Sequence, residues 1–248
     1  MELTGPRWKG KGFADTALAN PMSEIISRLR TSLSPSMPNA LLSGCIALLE
    51  AEPEAADLLE RASIGKNITT FGGDKKCFQL GPEESFYLYH GLTCIRISRE
   101  DGTAMAEAEL WNHFCSQRKA FPELYKAYSH LRSKNWVVRS GTHYGADFVA
   151  YRHHPALVHA EYAVLVIPEN DGKASSTRLS AWPDLCCSLR LSGSVAKTLL
   201  ILYVSSCSRD RSSVCSSEEF SVDERIIRRW IPERSREGIC LAGDDEVQ

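Results

Sequence analysis

The sequence predicts an α/β (α+β) chain in two parts: a helix-rich first part, and a second part with a central mixed sheet and one packed helix. Three observations predict it. The 248 residues are 43% hydrophobic and 24% charged, ordinary values for a chain long enough to bury a core without disulfides or metals. Strand-like and helix-like runs alternate from 40 to 133. From 134, three strand-like runs, one helix and a wholly apolar run follow.

The elements are justified in order. Residues 1–39 mix Gly, Lys, Pro and Ser and read as a loosely ordered leader. Within it, 22–30 can form a helix with Ile25, Ile26 and Leu29 on one side, followed by a Pro/Ser linker. The apolar run 40–50 fits a strand or a buried helix. Residues 53–65 read as a helix, with Pro53 at a first helical position and Gly65 at its C-cap. Residues 77–81 read as a strand, 82–91 as a helix ended by Gly91, and 92–98 as an alternating strand. Residues 104–119 and 121–135 are helices; the second spaces Leu124, Tyr128 and Leu131 along one face.

In the second part, NWVVRSG, YGADFVAYR and EYAVLVIP are strand-like runs broken by Gly and by a His-His-Pro turn. Residues 182–195 read as a helix, with Pro183 near its start. The run 198–204 is a buried central strand. Seven serines fall within 205–219, which reads as a surface loop. Residues 220–232 return to strand composition. The resulting division is a leader over 1–39, a first subdomain over 40–133, a second over 134–236, and a tail over 237–248.

Composition excludes several classes. No apolar run approaches the roughly eighteen residues of a membrane span, and the first residues lack the apolar core of a signal peptide. Nine cysteines include no C-x-x-C pair, so a structural zinc site is not expected. Cys45, Cys94, Cys186 and Cys187 have apolar neighbours and read as small core residues. There is no phosphate-binding P-loop, no H-E-x-x-H and no G-x-S-x-G. The net charge of −2 conceals an uneven distribution. Residues 50–110 hold 12 acids and 6 bases, whereas 118–152 hold 7 bases and 2 acids. The basic second half is compatible with a polyanionic partner.

The chemistry-bearing stretch runs from Tyr144 to Tyr162. Tyr151 ends one predicted strand and His159 opens the next, so pairing would bring both to one sheet edge. Lys197 directly precedes the apolar run, and its charge places it at that strand's end. Tyr, His and Lys suit metal-free RNA cleavage, which needs a base, an acid and a cation for the charge growing on phosphorus. A phenol of ordinary pKa about 10 is a poor base unless a cation lowers it. The same residues could equally be strand-end and capping residues.

The runs KNWVVRSGTHYGADFVAYRHHPALVHAEYAVLV, LRLSGSVAKTLLILYV and RIIRRWIPE, in that order, resemble the tRNA-intron endonuclease family, and most closely its eukaryotic subunits that cut the 5′ splice site. The resemblance covers the chain from about residue 40. It implies an N-terminal α/β part joined to a nuclease-like α/β/α part, with Tyr151 as general base, His159 as general acid and Lys197 as stabiliser of the phosphorane. Tyr144 is the competing tyrosine and is expected to pack. The resemblance also implies an intron-base clamp of Arg190 and Trp230, an arginine over an aromatic ring being a suitable platform for an unstacked base. It further implies precursor tRNA as substrate, no metal or other cofactor, a heterotetramer with other endonuclease subunits, and the nucleus. The alternatives are a non-catalytic scaffold subunit of the same assembly, or a module binding other RNAs. His153 and His154 are expected in an exposed turn. His143 is read as structural, and His90, His113 and His130 as surface or boundary residues.

Overall fold

Gly44 turns the apolar run at 40–50 back on itself. Its φ of 58° is the left-handed value that a two-residue hairpin loop requires. The run is therefore neither one strand nor a helix but the hairpin β1 (Asn39–Ser43) and β2 (Ile46–Ala51), with Ser43 paired to Ile46. These strands seed the first sheet of this computed structural model, which describes residues 5–68, 75–170, 173–174, 179, 181–206 and 220–227.

Helix α3 (Pro53–Ala62) starts at its proline but is capped by Ser63, at φ 54°, rather than by Gly65. Gly65 has another task. At φ 74° it lies so close to β4 (Lys76–Leu80) that an added Cβ would be 2.7 Å from Leu80. With β3 (Lys66–Ile68) and β5 (Arg96–Ser98), the first sheet has the order β3-β4-β2-β1-β5, and β5 runs parallel to β1. The strand expected over 92–98 begins only at Arg96. Thr93 has φ 51°, and the Cys94 N–H is turned back to the Leu88 carbonyl. The preceding helix is α4 (Pro82–Phe86), continued by a π-helical turn over Tyr87–Gly91.

The leader is not loose. Helices α1 (Phe13–Ala19) and α2 (Met22–Leu33) precede β1, and α2 buries Met22, Ile25, Leu29 and Leu33 in the main core. Lys and Pro around these helices hide an apolar stripe that finds its partner in α3.

Helices α5 (Glu107–Gln117) and α6 (Phe121–Ser133) carry the core between the two sheets. Phe86, Trp111, Phe114, Phe121 and Tyr125 interlock there, the Phe86 and Tyr125 ring centroids being 4.8 Å apart at 84°. Arg132 is buried beside them. Its Nε donates to the Tyr128 hydroxyl, Nη1 to the Ala62 carbonyl and Nη2 to the Ser63 carbonyl, at 3.0, 3.0 and 3.2 Å. This network fastens α6 to the end of α3.

The second sheet contains β6 (Val137–Ser140), β7 (Phe148–Tyr151), β8 (Tyr162–Asn170), β10 (Thr198–Ser206) and β11 (Phe220–Ile227), in the order β11-β10-β8-β7-β6. The short β9 (Lys173–Ala174) pairs with β8. Strands β8 and β10 are parallel, so the chain must cross over between them, and α7 (Trp182–Ser194) is the crossover. Alternate residues of β8 and β10 feed different cores. Val164, Val166, Leu200 and Leu202 join the main core under α6, while Ala163, Leu165, Leu199 and Ile201 form a small second cluster met by Leu185 and Leu189 of α7. The fold is thus the α+β class read from the sequence, with two mixed sheets. The serine-rich segment at 207–219 and the tail at 237–248 lie outside the described residues.

Three smaller expectations change. His153 is buried, with Nε2 2.8 Å from the Asn20 carbonyl, so it anchors the leader rather than occupying an exposed turn. Of the four cysteines read as core, only Cys94 is buried; Cys45 is in the hairpin turn, and Cys186 and Cys187 lie on the half-open α7. The strand predicted to start at His159 starts at Tyr162.

Candidate active site

The site is built by the backbone at one end of the second sheet. The Glu161 N–H donates to the Ala150 carbonyl at 2.9 Å, and the Glu161 carbonyl accepts the Thr198 N–H at 2.9 Å. Tyr151 follows Ala150 and Lys197 precedes Thr198. One residue between His159 and β8 therefore ties the two strand ends together, which brings the backbones of Tyr151 and Lys197 and the connection bearing His159 to the same end of the sheet.

Tyr144 joins them. It ends a 3₁₀ turn (Thr142–Tyr144) held by Gly145 at φ 64°, and its ring lies under the Lys197 ammonium, 4.0 Å from Nζ to the ring centroid. The half-buried Tyr144 is thus a cation–π partner of Lys197 as well as a packing residue. Lys197 Nζ also donates to the Val195 carbonyl at 3.4 Å. Partial burial, and then the charge of Arg7, hold its pKa below the ordinary lysine value.

Tyr151 is half-buried at the end of β7, opposite Val137. Burial pushes its phenol above the ordinary value, the neighbouring Tyr144 adds to this, and Arg139 opposes it. The cation needed to lower this phenol is therefore outweighed in the chain on its own. His159 is exposed, in the connection between β7 and β8. Arg190 is exposed in the last turns of α7. A Cβ added at Gly145 would be 3.4 Å from Leu191 Cδ1, which puts that end of α7 against the Tyr144 turn. Trp230 lies outside the described residues.

Sequence reasoning missed Arg152, Glu161 and Arg7. Arg152 forms a two-point ion pair with Glu161, at 2.9 and 3.3 Å, and its guanidinium stacks 4.2 Å from the Trp136 ring centroid. The nine-residue interval between them, spanning a turn, gave no local signal. Arg7 reaches the site from the leader. A cleft of about 630 Å³ lined by Gly65, Glu83, Arg118, Arg139 and Asp147 lies between the sheets, but Tyr151, His159 and Lys197 do not line it. Chemistry rather than concavity marks the site. Among the described residues, no three His, Cys, Asp or Glu side chains gather as metal ligands.

Comparison with known proteins gives the same region a family. The tRNA intron endonuclease catalytic C-terminal domain matches residues 121–212, and the N-terminal domain of that family matches residues 39–111. The chain is similar to a probable tRNA-splicing endonuclease subunit Sen2 of Oryza sativa subsp. japonica, 54% identical over 255 residues covering 100% of this chain and 87% of the relative. It is similar to subunit Sen2-2 of Arabidopsis thaliana, 49% identical, covering 94% of this chain and 92% of the relative. With subunit Sen2 of Mus musculus the identity is 32%, over 64% of this chain and 35% of the relative.

Proposed function

The chain belongs to the tRNA intron endonuclease family, and we propose that it is the catalytic subunit of a tRNA-splicing endonuclease, cutting precursor tRNA at the 5′ exon–intron boundary. The reaction leaves a 2′,3′-cyclic phosphate and a 5′-hydroxyl and uses no metal. The observation that supports this reading is that the strand ends bearing Tyr151 and Lys197 and the connection bearing His159 meet at one end of the second sheet, within the segment matched by the catalytic domain.

In this mechanism Tyr151 takes the proton of the ribose 2′-hydroxyl, whose oxygen attacks phosphorus in line with the leaving oxygen. His159, exposed to an incoming strand, gives a proton to the 5′-oxygen as that bond breaks. Lys197, held over Tyr144, supplies positive charge where the phosphorane gains negative charge. Burial and then Tyr144 hold the phenol above its ordinary value in the chain on its own, so its work as a base calls for a further cation beside it, such as the bound RNA complex would have to supply. Arg190, exposed beside the site, fits one half of a clamp on an unstacked base; we assign Trp230 to the other half. A heterotetramer with other endonuclease subunits, in the nucleus, completes the proposal.

The test is cleavage of an intron-containing precursor tRNA in EDTA by the chain assembled with its partner subunits. Cleavage should persist in the chelator and leave a cyclic phosphate. His159→Ala should lower the single-turnover rate by about 10²–10⁴-fold. Unchanged cleavage by both His159→Ala and Lys197→Ala would remove the mechanism. Intact tRNA with binding retained would point to a scaffold subunit.

A further inference from the structure

The leader does more than pack. Residues 7–9 run antiparallel to the connection that carries His159. The His159 N–H donates to the Arg7 carbonyl at 3.0 Å, the Lys9 N–H donates to the Leu157 carbonyl at 2.9 Å, and Trp8 pairs with Val158 between them. The Arg7 side chain then crosses to the other half of the site, where Nη2 donates to the Ala196 carbonyl at 2.6 Å. Ala196 is the residue before Lys197, in a left-handed conformation (φ 52°) that a side chain rarely adopts. One residue therefore holds the His159 backbone through its carbonyl and the Lys197 turn through its guanidinium.

We propose that this strap is a working part of the cleavage site, and that Arg7 is its second cation, binding a phosphate of the RNA beside Lys197. The proposal rests on the cleavage reading given above. Its first support is unmet charge. Among the described residues, the polar contacts of Arg7 and Lys197 go to backbone carbonyls and a ring face, with no carboxylate between them. Two cations brought together in this way repel each other, and this repulsion adds to partial burial, the larger cause, in lowering the pKa of Lys197. A dianionic phosphorane relieves it. The second support is donor capacity. An arginine has five N–H donors in a planar fork suited to phosphate, the bond to Ala196 uses one, and the side chain is exposed. The third is economy. The strap's two backbone hydrogen bonds would form with any residue at position 7, so they do not require the guanidinium. The two family domain models match from residue 39 onward, so Arg7 lies before the matched domains.

The test measures equilibrium binding of precursor tRNA to the assembled complex in the His159→Ala background, over a series of salt concentrations, together with single-turnover cleavage in the native background. Arg7→Ala should weaken binding and reduce the slope of log affinity against log salt by about 0.7–0.9, the loss of one phosphate contact. Its cleavage rate at saturating enzyme should fall about tenfold. Arg7→Lys should restore the slope. An Arg7→Ala slope equal to that of the parent overturns the proposal, as does an equal loss in Arg7→Lys accompanied by a lowered melting temperature, which would mark Arg7 as structural. If the native complex binds but does not cut while Arg7→Ala still changes the slope, the cleavage reading fails and the phosphate contact stands.

Discussion

Helices α6 and α7 have equal length, 13 residues, and cover opposite faces of the second sheet, yet they are built differently. Helix α6 buries nine residues, including Phe121, Leu124, Tyr128 and Leu131; helix α7 buries only Ser192. Trp182 and Leu191 on α7 are 73% and 52% exposed. The face under α6 carries the stability of the fold. The face under α7, the helix that leads into Lys197 and carries Arg190, has little burial to spare. Sites assembled from loops and thinly packed ends are the usual division of labour on a rigid scaffold.

The comparison can be broken by mutation. Phe121→Ala should cost about 3–5 kcal/mol of unfolding free energy, because a fully buried ring is lost and a cavity remains. Leu191→Ala on α7 should cost at most about 0.5 kcal/mol. Urea unfolding of the two variants compares them directly, and equal costs would end the distinction between the faces.

A polar pair sharpens the same contrast. Arg132→Met should cost about 2–3 kcal/mol, since it leaves the Ala62 and Ser63 carbonyls buried without their donor. Arg190→Ala, on the exposed face, should leave the melting temperature unchanged while weakening binding of precursor tRNA. A destabilised Arg190→Ala would show that α7 is packed more firmly than its exposure indicates.

The smallest effect concerns the edge strand. Glu224 of β11 meets His130 and Lys134 beside the end of α6, each at 2.9 Å. Partial burial would raise its pKa, but the hydrogen bonds from Lys134 and His130 prevail and hold it below the ordinary carboxylate value. A carboxyl depressed in the folded state adds stability above its unfolded pKa and loses it as pH falls through the folded one. Native stability should therefore lose a few tenths of a kcal/mol more than that of Glu224→Gln between about pH 5 and about pH 3, measured by urea unfolding. An identical pH response in both proteins would show that this tether contributes nothing.

What the sequence disclosed follows from the range of each interaction. Helix α6 announces itself through local periodicity and strand β10 through its continuous apolar run, whereas the run 40–50 fits a strand or a helix until Gly44 turns it into a hairpin. The leader shows its helix over 22–30, with Ile25, Ile26 and Leu29 on one side, but not that it is held in place, since His153 anchors it by a hydrogen bond to Asn20, 133 positions away. His159 was read as the first residue of a strand, but its N–H is taken by Arg7 and regular pairing waits until Tyr162. Family resemblance is what points to Tyr151, His159 and Lys197, and the backbone sets the ends of β7 and β10 beside the connection that bears His159. Arg7 was not legible, because a backbone carbonyl carries no residue signature.

The bond from Arg7 to Ala196 spans 189 positions. During synthesis at roughly 5–20 residues per second, Arg7 waits on the order of ten to forty seconds for its acceptor to emerge. The first sheet and strands β6, β7 and β8 can be laid down in that interval, but β10 and the Lys197 end of the site cannot. A nascent chain halted before Ala196 therefore lacks both the acceptor that ties down its first residues and Lys197 itself.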